Sequence, residues 1–417
     1  MQTAWLRQLE LAASVRRFNQ AGRPIADEFN ASHCDGDRAT IIRMIPTTIQ
    51  NDSASLLSSS DAQAIALDAA ASERAGTLAP AINALLHSRG WLAMLAPCAA
   101  GGAEMALPDA VRLEEAIAGA DGSTGWIVTL CAGAGWFAGF LAPDFAREII
   151  GTPGLCVAGS GAPTGYAERE GELYRLSGRW DIATGAPMAT HFTFNAVLRA
   201  AGQPLLDASG QPRLSSFIVP AARVVVQRTW NSIGMRATGS HSFSLDGLLV
   251  GARHAFQIAP EHASAPGPLY CFPFVSLAFV TLAANIAGMA LHFLRLAAPL
   301  IAGRRHPLAG RLLGEIPAVM ETVRQTEQHV GAARTYFYRL LDDMWDRVCS
   351  DSALDAGQAD ALHAASLALV TASRTAVDTL YPYCGLHAAD ACSDINRVWR
   401  DLHTATQHAM LLPLHAA

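Results

Sequence analysis

The stretch Tyr174–Gly185, YRLSGRWDIATG, decides the fold class of this chain. Apolar and polar residues alternate along it up to a closing glycine, a pattern typical of a strand that is buried on one face. Two flanking stretches have the same character, LCVAGSGAPTG at residues 155–165 and SSFIVP at residues 215–220. We therefore predict an antiparallel sheet of short strands over roughly Leu155–Ala252.

Helical patterns lie on both sides of this sheet. The chain is Ala-rich from Asp61 to Ile150, and long segments of helical periodicity return after Pro260. Helices followed by strands and then helices predict a mostly α protein with a central antiparallel β domain. The predicted parts are an N-terminal extension at 1–60, a helical domain at 61–154, the β domain at 155–255 and a C-terminal helical bundle at 256–417.

The composition predicts a folded globular protein with a large core, because 51% of its 417 residues are hydrophobic. The net charge of -6 arises from scattered residues without a basic stripe, so nucleic acid is not expected as a partner. The eight cysteines form no CxxC pair. Unpaired cysteines in a long chain are typical of reduced thiols in a cytoplasmic enzyme, and they do not indicate a metal site.

Two stretches bear on a membrane location. The N-terminal residues 1–20 are broken by charges every few positions and lack the apolar run of a signal peptide. Residues 272–300 are long and nearly uncharged, yet they contain Pro273, Asn285, His292 and Arg295. That composition favours a buried helix at the centre of a bundle over a membrane span.

Two further motifs precede the sheet in the chain. Leu95-Ala-Pro97 is followed by Gly101-Gly102, and Glu114-Glu115 is followed by Asp121-Gly-Ser-Thr-Gly-Trp126. In this order, and together with the strand motifs, they make residues 60–415 resemble the acyl-CoA dehydrogenase-like superfamily. The resemblance is greatest to its flavin-dependent monooxygenase branch. It implies an N-terminal helical domain, a β domain, a C-terminal four-helix bundle and a homotetramer.

The resemblance also implies cofactor contacts from the strands. Thr184 falls where the family bonds the flavin ring near its reactive edge, and such hydrogen bonds tune the ring's electronics. The alternative for Thr184 is a strand-end residue before a glycine turn. Trp180 either walls the flavin or fills the core. Ser160 is a weaker candidate of the same type, since a Gly/Ser loop is often simply a turn.

The C-terminal helices supply the other cofactor candidates of the family pattern. Arg305 corresponds to an arginine that reaches the flavin pyrophosphate across a subunit boundary, a task that suits the planar guanidinium. Gly385 stands at the turn against the adenosine end, but one glycine remains there, so FMN stays open beside the favoured FAD. Arg400 is a further cofactor candidate, although with Asp401 it could instead form an ion pair that orients its helix.

The catalytic candidate is His408. Acyl-CoA dehydrogenases place a glutamate just beyond the Arg-Asp pair, whereas this chain has no glutamate after Glu327. His408 stands near the vacated position, and an imidazole can act as a hydrogen-bonding or proton-transfer group near neutral pH. The alternative is a histidine that packs in the core. The second histidine of several such monooxygenases is missing from residues 126–137, with Thr129, Cys131 or His191 as speculative replacements.

The sequence therefore predicts a flavin-dependent monooxygenase that hydroxylates a small organic substrate with O2 and reduced FAD or FMN. The reduced flavin is expected from a separate reductase, because no GxGxxG nicotinamide motif follows a strand. Two alternatives remain open at this point. One is a flavin dehydrogenase or oxidase of the acyl-CoA dehydrogenase type, and the other is a flavin-free scaffold or binding protein.

Overall fold

The computed structural model describes residues 56–350 and 352–412, so most of the predicted extension at 1–60 lies outside the described residues. The first helical region precedes the sheet. Its helices are α1 (Ser59–Ala75), α2 (Pro80–Ser88), α3 (Leu107–Ala118), α4 (Gly122–Trp136) and α5 (Pro143–Ile150). Helix α4 begins at Asp121, whose carboxylate accepts hydrogen bonds from the backbone N–H and the hydroxyl of Thr124 at 2.8 and 2.7 Å. This N-cap satisfies one of the exposed amides of the first turn.

The central sheet has eight strands in the order β6-β7-β2-β1-β3-β5-β8, with β4 paired to β3. The strands are β1 (Val157–Glu170), β2 (Leu173–Ala183), β3 (His191–Ala200), β4 (Gln203–Pro204), β5 (Leu214–Pro220), β6 (Val225–Gln227), β7 (His241–Gly251) and β8 (Ala255–Phe256). All pairs are antiparallel except β1 with β3, which is parallel. The chain leaves β2 and returns on the far side of β1, so β3 runs in the direction of β1. The predicted antiparallel sheet is thus present with one parallel pair.

The stretch that opened the sequence analysis forms β2 and the turn after it. Trp180 and Leu176 are fully buried and alternate with more exposed residues, as a strand covered on one face requires. The register with β7 shifts between Trp180 and Ala183, which marks a bulge. Ile182 lies in this bulge at φ +62°. A β-branched residue is rarely found in that left-handed region.

The C-terminal region is helical. Its helices are α6 (Pro268–Cys271), α7 (Phe274–Gly303), α8 (Pro317–Cys349), α9 (Ala356–Cys384), α10 (Leu386–Ala389) and α11 (Asp394–Ala405). Helix α7 is long and apolar enough to cross a membrane by length and composition, but 83% of its most apolar window is buried inside the chain. It therefore packs as the central helix of the bundle, as its Asn, His and Arg residues predicted.

Direct backbone contacts and one buried ion pair join the two helical regions. A side chain at Gly288 of α7 would lie 2.2 Å from the carbonyl oxygen of Glu115, so the helices α3 and α7 meet at their backbones. The Glu115 carboxylate lies 2.8 Å from the Arg334 guanidinium of α8, and both side chains are nearly inaccessible. Removing one partner of such a pair leaves a buried charge uncompensated and typically costs about 3–5 kcal/mol.

Candidate active site

Three hydroxyl groups form a continuous hydrogen-bonded chain that starts directly after the C-terminal end of β2. The Thr184 Oγ1 lies 3.0 Å from the Ser240 Oγ, which lies 2.7 Å from the Thr238 Oγ1. Thr238 in turn donates to the backbone carbonyl of Met235 at 2.8 Å. All four residues are at most 5% exposed. We call Thr184, Ser240 and Thr238 the hydroxyl chain.

The far end of the hydroxyl chain is anchored on α11. The Met235 N–H donates to the buried carboxyl group of Asp401, and the Met235 carbonyl accepts a second bond from the Trp230 indole at 2.9 Å. Met235 is held at φ +54°, a conformation that costs backbone energy and persists where surrounding bonds enforce it. A side chain at Gly234 would lie 2.1 Å from the Arg400 carbonyl oxygen, so this loop packs directly on α11.

Asp401 is an unusual carboxyl group. Burial raises its pKa to about 8, and the negative charge of nearby Asp121 acts in the same direction. The bond from the Met235 N–H and the positive charge of Arg397 oppose these effects only in part. Asp401 therefore holds a proton at neutral pH while it still accepts from the Met235 amide.

Helix α4 connects the hydroxyl chain to the predicted catalytic histidine. The Cys131 thiol lies 3.7 Å from the Thr184 carbonyl oxygen, and the Trp126 ring meets the His408 ring edge-on at a centroid distance of 5.9 Å. Cys131 and Trp126 are five residues apart, about 7.5 Å along a helix that rises 1.5 Å per residue. Thr184 and His408 are thus held at two points of one helix.

The contacts of His408 show which ring nitrogen carries its proton. Its Nδ1 accepts a hydrogen bond from the Met410 N–H at 3.3 Å. Burial lowers the pKa of the imidazole to about 4, so the ring is neutral at pH 7. A neutral ring whose Nδ1 accepts carries its proton on Nε2. His408 therefore offers an N–H donor at its other nitrogen.

One face of α4 borders open space. The helix is almost entirely buried, and its partly exposed residues Leu130 and Gly133 lie on the same face as Trp126. Phe137, directly after the helix, is also partly exposed and extends this face. A methyl group at Gly133 would meet no atom of the described residues within 4 Å. This face, which we call the open face of α4, begins at the contact with His408 and continues along apolar side chains.

Two predicted cofactor residues of the sheet have other contacts. Trp180 is fully buried, stacks on Phe243 and donates its indole N–H to the Asn195 carbonyl at 2.9 Å. These contacts describe the core-filling alternative rather than a cofactor wall. Ser160 of β1 donates to the Asp181 carbonyl at 2.8 Å. Ser160 thereby holds the bulge that carries Ile182, whose side chain is 62% exposed.

The predicted pyrophosphate and adenosine residues lie at the junction of α7 and α9. The guanidinium of Arg304 donates to the Tyr383 carbonyl at 2.9 Å, and a side chain at Gly385 would collide with it at 2.5 Å. Arg305, which the motif assigned to the pyrophosphate, is exposed and bonds the Gly310 carbonyl of its own loop. The structure therefore joins Gly385 with Arg304 rather than with Arg305.

Arg400 serves as a structural link. Its guanidinium donates to Glu73 of α1, to the Ile233 carbonyl at 2.6 Å and to Asn396 at 2.7 Å. Arg400 and Asp401 do not form the expected ion pair. Arg400 pairs with Glu73 instead, and Asp401 accepts from the Met235 amide. Successive residues of a helix point about 100° apart, which explains their different partners.

The speculative replacements for a second histidine occupy separate places. The Thr129 hydroxyl accepts from the Asn285 amide at 3.2 Å inside the helical core. The Cys131 thiol lies 3.6 Å from the Cys156 thiol, and this hydrogen bond, together with burial, raises the pKa of Cys131. His191 lines a cavity of about 270 Å³ together with His254. The described contacts do not bring these three side chains together.

Sequence reasoning missed the hydroxyl chain and one buried acid. Neither carboxyl oxygen of Glu114 makes a well-formed hydrogen bond within the described residues, and burial raises its pKa to about 8. The nearby Thr129 hydroxyl opposes this shift only in part. The signal for the hydroxyl chain was the polar spacing in ATGSHSF at 237–243, which alone is indistinguishable from a turn.

Comparison with known proteins shows which family the chain resembles. Residues 280–413 match the family model described as "Acyl-CoA dehydrogenase, C-terminal domain". XiaF from Streptomyces sp., solved in complex with FADH2 and glycerol, has a TM-score of 0.77 and 25% identity, covering 84% of this chain and 89% of that chain. This chain is similar to acyl-CoA dehydrogenases in its C-terminal part and to a flavin-binding relative of theirs in its overall fold. The predicted fold class, helical domains around a central β domain, is confirmed.

Sequence relatives are flavin-dependent monooxygenases. The chain is 24% identical to the indole-3-acetate monooxygenase of Acinetobacter baumannii, over 76% of this chain and 80% of the relative. It is 25% identical to the FADH(2)-dependent resorcinol hydroxylase, oxygenase component, of Rhizobium sp., over 78% of this chain and 82% of the relative. The predicted resemblance to the flavin-dependent monooxygenases is therefore confirmed.

Proposed function

We propose that this protein is the oxygenase component of a two-component flavin-dependent monooxygenase that hydroxylates a small aromatic substrate. The predicted oxidoreductase class agrees with the relatives, which are named as monooxygenases and hydroxylases. A separate cytoplasmic reductase would deliver the reduced flavin, since the chain has no nicotinamide motif after a strand. The aromatic class is supported by the apolar open face of α4, where Trp126 and Phe137 offer aromatic rings and Leu130 an aliphatic side chain for packing against a substrate ring.

The observation that carries this proposal is the position of α4 between Thr184 and His408. Thr184 is a buried hydroxyl at the bulged end of a strand, and His408 is a neutral N–H donor on the other side of the same helix. A substrate on the open face of α4 would lie next to His408, and a flavin ring against Thr184 would lie beside the same helix. This arrangement suits a proton donor that acts where O2 and a substrate are held close together.

Each turnover consumes one reduced flavin and one molecule of O2. A reduced flavin supplies two electrons, so that one atom of O2 enters the substrate as a hydroxyl group and the other leaves as water. The protein's part is to orient the reactants and to exclude bulk water. His408 would donate its Nε2–H to an oxygen atom in the site, and because its pKa is about 4 it would stay neutral across the physiological range.

FAD is the favoured flavin. The contact of Arg304 with the turn at Gly385 places a cation beside the C-terminal end of α9, where a pyrophosphate could bind to a planar guanidinium. FMN would use the Thr184 end of the site alone. Removing the charge with Arg304→Gln should therefore weaken FAD binding and leave FMN binding unchanged if FAD is the cofactor.

The proposed function is tested by anaerobic titration followed by turnover. The protein is titrated with reduced FAD and reduced FMN, then mixed with 18O2 and indole-3-acetate, resorcinol or other small aromatic compounds. We expect tight binding of a reduced flavin and a hydroxylated product that carries one 18O atom. Reduction of bound oxidised flavin by a saturated acyl-CoA would instead return the protein to the dehydrogenases. Failure to bind either flavin would favour the scaffold alternative.

A further inference from the structure

The hydroxyl chain has a defined direction. The Met235 carbonyl can only accept, so Thr238, whose Oγ1 lies 2.8 Å away, must use its single proton on this bond. Toward Ser240, 2.7 Å away, Thr238 can then act only as an acceptor, and Ser240 must donate. The same argument applies to the hydrogen bond between Ser240 and Thr184. Ser240 has used its proton, so Thr184 donates to Ser240 across 3.0 Å.

The anchor of the chain prevents the opposite direction. Reversal would leave the Thr238 oxygen facing the Met235 carbonyl oxygen at 2.8 Å without a proton between them. The carbonyl cannot turn away, because it also accepts from Trp230 while the Met235 amide donates to Asp401. Gly234 packs against the backbone of Arg400 and leaves the loop no room to shift. The orientation is therefore imposed by the tertiary structure.

We propose that the hydroxyl chain turns the Thr184 proton away from the flavin site, so that Thr184 presents only lone pairs and selects the reduced flavin over the oxidised one. The ring nitrogen N5 carries a proton in a reduced flavin and is a bare acceptor in an oxidised flavin. A hydroxyl that can only accept bonds the first and opposes the second. This inference rests on the proposed function, and it makes Ser240 and Thr238 positioning residues that act through Thr184.

Redox-state selectivity suits an oxygenase that receives its flavin from a separate reductase. Such a protein must bind the reduced flavin and release the oxidised flavin after each turnover. A hydroxyl free to rotate would serve both forms, because it could donate to one and accept from the other. The interlocked hydroxyls at residues 184, 238 and 240 remove that freedom without placing a charge in the site.

The test measures binding rather than turnover. Dissociation constants for reduced and oxidised flavin are determined anaerobically for the wild type, Ser240→Ala and Thr238→Val, and the midpoint potential of the bound flavin is measured by spectroelectrochemistry. Ser240→Ala frees the Thr184 proton, so the preference for reduced flavin should fall about threefold to tenfold, the worth of one hydrogen bond. A tenfold fall corresponds to a bound potential about 30 mV lower for a two-electron couple.

Two control variants separate this role from a packing role. Thr184→Ser keeps a hydroxyl that can donate to Ser240, so the redox preference should be retained. Ser215→Ala removes an equally buried hydroxyl of the same sheet, whose bonds go to the backbone carbonyls of Ser216 and Phe256. This variant should leave the ratio of the two dissociation constants unchanged.

The outcomes are distinct. An unchanged ratio in both Ser240→Ala and Thr238→Val, with flavin still bound, overturns the inference and leaves the proposed function standing. Equal weakening of both redox forms also overturns it, because that result describes a merely structural role. If the wild type binds neither form, the proposed function fails and the inference fails with it. If either Ser240→Ala or Thr238→Val does not fold, the ratio measured for the other variant decides the outcome.

Discussion

The buried acid Glu114 makes the stability of this protein depend on pH in a direction opposite to that of most carboxylates. Its folded pKa is about 8, whereas the unfolded value is 4.5, and burial is the main cause. The folded state therefore keeps a proton that the unfolded state loses. Stability from this proton is fully present below pH 4.5 and is lost as the pH rises through 8.

The magnitude follows from the size of the shift. Each unit of pKa difference corresponds to about 1.4 kcal/mol, so the shift from 4.5 to about 8 sets an upper bound of roughly 5 kcal/mol between these pH values. Glu114→Gln keeps the shape and removes the titration. The variant should therefore be more stable than the wild type at pH 8, by about 1–5 kcal/mol, and similar to it at pH 5.

The assay is chemical unfolding of both proteins at pH 5 and pH 8, with the difference between them taken at each pH. Asp401, whose pKa is also raised to about 8, is present in both proteins and cancels in the difference. Ser366 of α9 is an equally buried polar residue whose hydroxyl donates to the Leu362 carbonyl, and Ser366→Ala should change the stability by the same amount at both pH values. A Glu114→Gln effect that is the same at pH 5 and pH 8 would refute the reasoning.

Four further predictions concern the site and the assembly. Thr184→Val should weaken reduced flavin by about 0.5–1.5 kcal/mol in anaerobic titration; unchanged affinity for both flavins would contradict its role. His408→Ala should retain flavin but lose about 10²–10⁴-fold in hydroxylation rate. In the wild type, titration of His408 should not change the hydroxylation rate between pH 6 and 8, because the imidazole pKa is about 4. Gly133→Ala should raise stability by about 0.5–1 kcal/mol, whereas Gly133→Phe should raise KM for the bulkiest substrate; unaltered kinetics would argue against the open face of α4. Sedimentation should give a tetramer, or at least a dimer, since Leu308 and Leu386 are 93% and 88% exposed, and a stable monomer would oppose this.

An apolar helix does not by itself indicate assembly. Helix α7 is buried by helices of its own chain, chiefly α3 and α9. An apolar helix alone cannot say which surface covers it, because burial within a chain and burial between chains have the same composition.

The individual site residues were predicted from sequence only where a family motif contained them. Thr184 and His408 were predicted in this way, and both lie beside α4 in the structure. For Trp180 the two alternatives were open, and its contacts with Phe243 and Asn195 describe core packing. Arg305 stays a prediction, and within the described residues it is the neighbouring Arg304 that contacts the turn at Gly385. A motif sets the neighbourhood of a side chain, whereas its partner depends on local backbone direction.

The sequence by itself determined the order of helices and strands, because periods of 2 and 3.6 residues are local properties of the chain. It also determined the absence of a glutamate beyond Glu327 and the presence of His408. Only the tertiary structure decided the hydroxyl chain. Thr184 and Ser240 are 56 residues apart and meet because β2 pairs with β7 up to Ala183 opposite His241, and Met235 reaches Asp401 across 166 residues. Hydrogen-bond direction is a property of the closed chain of partners, which no single segment contains.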